Sequence, residues 1–366
     1  MSKSCKPLYP GLFLLGAATA ALVFAAPQTC AAALRQGLAL CGGPLLVSLF
    51  PFLVVSALIM RSGAGEVLGV LLWPVVRFIG LHSRSAGSVL LIGLVGGFAP
   101  AAAAAAEAVR SRELTPQEAS ALLPACICSG PSFVILTVGE QLLGSRTAGV
   151  CLFAAQVLAG WLTAALLCRV RGIPEPLPAP PAAAQEEPPP ALDAILAQAA
   201  VTYLKLCGFV LYFRLLAAGV EALLPKPWSV LPAMLLEVCS GCDCASHTGL
   251  WASTLCCAAL SVQGASVLLQ VRTICPPEVS LGPLLAARVL HLPLSLALFW
   301  LVVPGTEQAV QAFSTLSGRV VVMHRVPLDC ALLAFATCCI TVAELQKRCS
   351  RQCGALHDQH KKTAAR

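Results

Sequence analysis

Four apolar segments, two in each half of the chain, are interrupted near their middle by small and polar residues. In the first half the interruptions lie at Gly96-Gly97 and at Ser129-Gly130-Pro131; in the second half they lie within 235–244 and at Gln263-Gly264. Interrupted hydrophobic segments at corresponding positions of two halves indicate a transporter binding site. Non-helical backbone at membrane depth is tolerated only where it is buried or faces a water-filled cavity. We therefore expect the four breaks to converge on one polar site.

The composition requires a membrane around most of this chain. Of its 366 residues, 58% are hydrophobic and only 11% are charged, whereas soluble domains carry about twice that charged fraction. Apolar stretches of roughly 20 residues, long enough to cross a bilayer, recur along the sequence. They predict an all-α polytopic membrane protein with about eight transmembrane helices plus two re-entrant hairpins in an inverted repeat.

Several function classes are disfavoured by the same sequence. The net charge of +7 is spread through loops and a tail rather than gathered on one face, so we expect no nucleic-acid partner. The sequence has no phosphate-binding loop, nucleophile elbow or zinc-binding His-Glu-x-x-His helix, so we expect no enzymatic activity and no cofactor. The expected partners are the lipid bilayer and a small organic solute, which could be anionic; assembly into a homo-oligomer is left open.

A proline-rich segment divides the chain into two membrane halves. The predicted organisation is an N-terminal span and connector (1–44), a first membrane repeat (45–171), a proline-rich cytoplasmic linker (172–192), a second membrane repeat (193–303), a last span (304–345) and a basic cytoplasmic tail (346–366).

We assume that each repeat contributes one re-entrant hairpin, at about 87–108 and at about 228–247, and that the two hairpins enter the membrane from opposite faces. With this topology most Lys and Arg residues fall on one side of the membrane, which is typically the cytoplasmic side. Arg288 is counted among the basic residues on that side. The bias predicts a multi-pass protein of the cytoplasmic (inner) membrane with both termini in the cytoplasm.

The breaks supply the candidate site residues. Glu237 is an ionisable group in an otherwise uncharged run, so it is a functional candidate; the alternative is a structural bond to backbone amides at the hairpin tip. Glu237 and Asp243 are candidates for coupling to a proton or sodium ion. For the serines and glycines, the alternative is that they only allow close helix packing. The candidate substrate-binding residues are Gly97, Ser129, Gly130, Ser132, Glu237, Ser240, Gly241, Gln263 and Gly264.

Cysteine spacing near the second hairpin offers a weak metal hypothesis. Cys239, Cys242, Cys244 and His247 could hold zinc or copper, but a single half-motif is poor support, so we predict no metal. Arg214, in the span before this hairpin, has two interpretations. It could be a counter-ion for the solute, or it could extend toward the membrane surface.

Several ordered motifs resemble a known membrane-protein family. They are Leu49-Phe50-Pro51-Phe52, Arg61-Ser62-Gly63-Ala64-Gly65, Gly97-Phe98, Cys126-x-x-Ser129-Gly130-Pro131, Leu236-Glu237-Val238-x-Ser240-Gly241 and Leu260-Ser261-x-x-Gly264-x-Ser266. This set resembles the YlbJ-like sporulation integral membrane proteins, within the larger group that carries the nucleoside-recognition Gate domain. The resemblance implies an architecture similar to concentrative nucleoside transporters and a role in moving dipicolinate, a planar dianion, across a forespore membrane.

Two departures from the family pattern keep other functions open. The first hairpin has Ala103 where the family pattern has lysine, and Ile127-Cys128 stand where it has two asparagines. The lost cation and amides, with the alanine run 101–106, favour an alternative in which the chain is a non-transporting scaffold in spore morphogenesis. A nucleoside-type solute is a further alternative.

Overall fold

The computed structural model describes residues 10–172, 192–225 and 228–302, and the regular elements in these ranges are helical. Most of the predicted linker (172–192) lies outside the described residues, as do the predicted last span (304–345) and basic tail (346–366). The helices of the first half are α1 (Pro10–Ala25), α2 (Pro27–Gly42), α3 (Pro44–Arg61), α4 (Gly65–Gly69), a 3-10 turn (Val70–Leu72), α5 (Trp73–Ile79), α6 (Arg84–Gly96), α7 (Phe98–Arg110), α8 (Pro116–Cys126), a π-helix (Ser132–Leu142) and α9 (Arg146–Arg171).

The second half repeats several of these features, with a shorter hairpin. Its helices are α10 (Leu192–Leu223), α11 (Val230–Leu236), α12 (Val238–Ser246), a 3-10 turn (Gly249–Trp251), α13 (Ala252–Val262), α14 (Gly264–Ile274) and α15 (Gly282–Val302).

Fewer helices can cross a membrane in the described part than the eight or so that the sequence predicts. Five are long and apolar enough, and a sixth counts if the segments Gly65–Ile79 and Arg84–Gly96, bent by 103°, form one span. The five are Pro27–Arg61, Arg146–Arg171, Leu192–Leu223, Gly249–Ile274 and Gly282–Val302. One of the eight predicted spans, 304–345, lies outside the described residues. Within them, α1 and the π-helix are short for a span: sixteen residues of α1 rise only about 24 Å, less than the ~30 Å hydrocarbon core.

Two helical hairpins lie close to the predicted positions. α6 and α7 pack against each other and meet at Gly97, while α11 and α12 pack against each other and meet at Glu237. The predicted bounds, 87–108 and 228–247, compare with 84–110 and 230–246 in the structure. In both hairpins the helix ends where small or polar residues interrupt the apolar run.

Alanine-rich α7 lies at the centre of the first half. Ala101, Ala102 and Ala105 are fully buried, and α7 packs against α3, α6 and α8 as well as α14 from the second half. Small side chains let helix backbones approach closely in a membrane. The alanine run therefore serves helix packing, and one continuous apolar core joins the two halves.

Candidate functional site

The first hairpin breaks at a glycine that no other residue could easily replace. Gly97 has φ +83° and ψ −168°, a backbone conformation that side chains disfavour. A Cβ atom placed on Gly97 would lie 2.7 Å from the backbone nitrogen of Gly130. The tip of the first hairpin is therefore in direct backbone contact with the break between α8 and the π-helix.

The first broken helix is interrupted over five residues. α8 ends at Cys126, and the π-helix begins at Ser132. Between them, Ser129 is buried, while Ser132 is exposed at the start of the π-helix. This break frees the carbonyl group of Ile127 from helical bonding, so that group needs another donor.

Glu237 begins the second half of the second hairpin. Its backbone is extended (φ −154°, ψ 132°), and its carboxylate accepts hydrogen bonds from the amides of Cys239 at 2.8 Å and Ser240 at 2.7 Å. An anion at a helix N-terminus is stabilised by the helix dipole. Sequence reasoning left two roles open for Glu237, a functional one and a structural bond to backbone amides at the hairpin tip. The structure contains that structural bond. Only 3% of Glu237 is exposed.

The second broken helix turns at Gln263 and Gly264. Both residues have left-handed backbones, with φ +61° and φ +70°. A Cβ atom on Gly264 would lie 2.8 Å from the backbone nitrogen of Glu237. The second broken helix therefore contacts the second hairpin in the same way as the first broken helix contacts the first hairpin.

The two broken helices also bond to each other. The Gln263 side-chain amide donates to the Ile127 carbonyl at 3.2 Å. Arg288 on α15 donates to the same carbonyl at 2.7 Å, to Gln263 Oε1 at 2.7 Å and to the Ser261 carbonyl at 3.3 Å. All four breaks thus meet in one region between the two halves.

Sequence reasoning counted Arg288 only as a basic residue on the cytoplasmic side and did not consider it for the site. It lies six residues inside α15, roughly 9 Å along the helix, and its guanidinium reaches the breaks. The available signal was a lone arginine within the otherwise uncharged run 281–303. Such a residue in a membrane segment is a functional candidate by default.

A cavity of about 70 Å³ lies where the breaks meet, with room for several water molecules. Five of the nine predicted substrate-binding residues line it, namely Gly97, Ser129, Gly130, Ser132 and Glu237. Polar side chains that sequence reasoning missed also line it, including Tyr203, Cys207 and Gln270, while most of the remaining wall is apolar. No Lys, Arg or His side chain lines this cavity in the part of the chain that the structure describes.

Four predicted substrate-binding residues lie behind the cavity wall. Gln263 and Gly264 support the breaks, as described above. Gly241 packs on the backbone of Met234, and the Ser240 hydroxyl accepts a bond from Arg214 at 3.4 Å. These residues hold the hairpin and broken helix in place.

Arg214 is held between two helices. It bonds Ser240 on α12 and, at 3.0 Å, the Gln36 side chain on α2. Arg214 is half-buried and does not line the cavity. It therefore ties the second hairpin to α2.

The side chains considered for ion coupling and for metal binding do not come together in one site. Asp243 is half-buried on α12, away from the cavity wall. The Cys244 thiol bonds Glu221 at 3.2 Å, and the His247 ring bonds the Asp243 carbonyl at 2.8 Å. Across the described ranges, no three His, Cys, Asp or Glu side chains are grouped to hold a metal ion.

These features define an all-helical integral membrane protein with a cavity among broken helices. Over 172 residues, 47% of its length, the chain is 29% identical to the sporulation integral membrane protein YlbJ of Bacillus subtilis (strain 168). The match covers 41% of that relative. No protein-family model matches the chain, and no solved structure does. The resemblance seen in the motifs is thus confirmed as a distant relationship, while the Gate domain stays a prediction.

Proposed function

We propose that this protein is a secondary transporter for a small organic solute, which binds in the cavity where the four breaks meet. The observation that carries the proposal is the convergence of two hairpin tips and two broken helices on one cavity between the halves. Transporters place substrate sites at discontinuous helices between repeats. Each half supplies one hairpin, one broken helix and an intact helix after it, which supports an inverted repeat and alternating access.

The distant relationship to YlbJ supports a role in sporulation, with dipicolinate as the first candidate solute. In this reading the protein lies in the cytoplasmic membrane with both termini in the cytoplasm. Reporter fusions test that orientation: cytoplasmic reporters should be active at both ends, and activity of a periplasmic-type reporter at either end would contradict it.

A nucleoside-type solute is the second candidate, and the charge of the cavity favours it. Glu237 is the charged side chain on the described wall, and both of its oxygens already accept amide bonds. A dianion would enter this cavity without a cationic partner, which is unfavourable in a low-dielectric site. A neutral solute with an apolar ring avoids that penalty.

The test is complementation of a sporulating strain that lacks its own YlbJ. Dipicolinate in spores and uptake of radiolabelled uridine are measured for the wild type, Glu237→Gln and a matched control, Glu118→Gln. Glu118 is also a buried carboxylate at a helix N-terminus, where it bonds Thr115, but it lies away from the cavity. The three proteins are compared at equal membrane levels.

We expect the wild type and Glu118→Gln to move one of the two solutes and Glu237→Gln to move neither. Equal transport by the two variants would show that Glu237 takes no part in transport. If the inserted wild type moves neither solute but restores spore morphology, the scaffold alternative replaces the transporter.

A further inference from the structure

The first segments of the two broken helices end at a shared cation. α8 ends at Cys126 and α13 ends at Val262. The freed carbonyls of Ile127 and Ser261 both accept hydrogen bonds from Arg288. Because the C-terminal end of a helix carries about half a negative charge, two such ends meeting inside a membrane repel each other. The guanidinium of Arg288 compensates that repulsion.

The oxygens around Arg288 form the type of donor set that holds a small hard cation. Two are peptide carbonyl oxygens from unwound backbone, and the third is Oε1 of Gln263, 2.7 Å from the guanidinium. In transporters with discontinuous helices, unwound carbonyls and half-helix C-terminal ends coordinate the coupling sodium ion. Here the guanidinium of Arg288 contacts a donor set of that type.

Within the part of the chain that the structure describes, Arg288 has no carboxylate partner that would explain its charge. The salt bridges of the described residues all involve Glu107, with Arg61 and Arg110. The Arg288 Nε atom is buried and has no hydrogen-bond partner there. The nearest titratable group on α15 is His291, one turn further on, whose Nε2 contacts the Gln156 carbonyl at 3.0 Å. The positive charge of Arg288 is therefore directed at the two helix ends.

We propose that Arg288 takes the place of a coupling sodium ion, so that the protein holds its two broken helices together without sodium. This inference rests on the proposed transport function, because its consequence is that transport does not depend on sodium. It also assigns Arg288 as a positioning residue, because the side chain acts on the breaks and does not line the cavity.

Thermal unfolding of the purified protein tests the proposal without any solute. The thermal midpoint is measured in sodium chloride and in equimolar choline chloride for the wild type, Arg288→Ala and Arg272→Ala. Arg272 is the matched control, because it also donates to three backbone carbonyls, those of Cys275, Pro276 and Val279, but in the loop after α14.

We expect the wild-type midpoint to be the same in both salts. Arg288→Ala should unfold at a lower temperature in choline and recover by about 2–4 °C in sodium, because a free cation can then enter the oxygen cluster. Arg272→Ala should be destabilised equally in both salts. Calorimetric titration should detect sodium binding to Arg288→Ala alone, which a purely structural arginine would not produce.

Sodium binding to the wild type, or an identical salt response of the two arginine variants, would overturn the proposal. If Arg288→Ala does not fold, the wild type and Arg288→Lys decide the question, since both should be indifferent to sodium. These measurements use no solute, so they can fail while the complementation succeeds, and the reverse also holds.

Discussion

The two pairs of breaks have similar backbones but very different side chains. At the first pair, Gly97 and Gly130 touch through their backbones, and the charged group that reaches this pair, Arg288, comes from the second half. At the second pair, Glu237 bonds the amides of its own helix, and Gln263 extends to the first pair. The first pair therefore depends on close packing and on polar side chains that the second half supplies.

This difference shows how one half can stabilise the other. The Ile127 carbonyl belongs to the first half, yet both of its side-chain donors, Gln263 and Arg288, come from the second half. An unsatisfied peptide group in lipid costs several kcal/mol. The first break therefore persists at membrane depth because the second half is folded against it.

The largest effect is expected at the backbone contact of the first pair. Gly97→Ala should lower the free energy of unfolding by about 2–4 kcal/mol, because it adds a left-handed non-glycine residue and a clash with Gly130. Denaturant titration of the purified protein in detergent measures this. The control is Gly208→Ala in α10, where a Cβ atom meets nothing within 4 Å; a similar loss at both sites would contradict the role of close packing.

A smaller loss of stability is expected when the carboxylate of Glu237, in the second pair of breaks, is replaced. Glu237→Ala should lower the free energy of unfolding by about 2 kcal/mol, since two buried amides lose their acceptor, and Glu237→Gln by about half as much, since one acceptor oxygen remains. The same denaturant titration measures both variants. Equal losses for Ala and Gln would show that the hydrogen bonds at the helix N-terminus contribute little.

The dependence of the first pair on the second can be measured with a native thiol. Gln263→Ala should speed alkylation of Cys128, which is 8% exposed and adjoins Ile127. Losing ~1 kcal/mol at the break should raise the labelling rate about fivefold. Cys168, 3% exposed at the end of α9, serves as the internal reference in the same mass spectrum. An unchanged rate of Cys128 labelling would show that the first pair of breaks does not depend on Gln263 of the second pair.

The smallest effect concerns an acid of the first half that lies outside the breaks. Glu113 follows α7, where burial, and to a lesser extent the nearby Glu66 and Glu107, raise the pKa of its carboxyl above the usual value of 4.5. The folded state therefore favours the protonated form, and stability is full below pH 4.5 and falls as the pH rises through the folded-state pKa.

Glu113→Gln should remove this pH dependence and stabilise the protein at neutral pH by only a few tenths of a kcal/mol (~0.3), because Glu113 is partly exposed. Thermal midpoints of both proteins across the pH range measure it. A steeper loss in the variant would mean that the neutral form is not the favoured one.

The positions of the breaks could be predicted from sequence because small and polar residues end a helix locally. Gly97, Pro131, Gln263 and Gly264 all lie at or beside breaks in the structure. The hairpin bounds agree within a few residues for the same reason. The number of spans was less predictable, since hydropathy measures how apolar a segment is and not whether it runs unbroken across the membrane.

The partners of the charged residues could not be predicted. Arg288 was counted only for its side of the membrane, although its guanidinium bonds both broken helices. The cysteines near the second hairpin were grouped by spacing, yet among the described residues no three metal-ligating side chains come together. Which way a side chain points depends on the packing of helices far apart in the chain.

The sequence by itself determined that this protein is an all-helical membrane protein and where its helices break, because length, hydropathy and helix-ending residues act locally. The tertiary structure alone decided that Glu237 bonds its own helix, that five predicted residues share a cavity, and that Arg288 joins both broken helices. These features depend on contacts such as that between Ile127 and Arg288, 161 residues apart in the chain. No local pattern records such a contact.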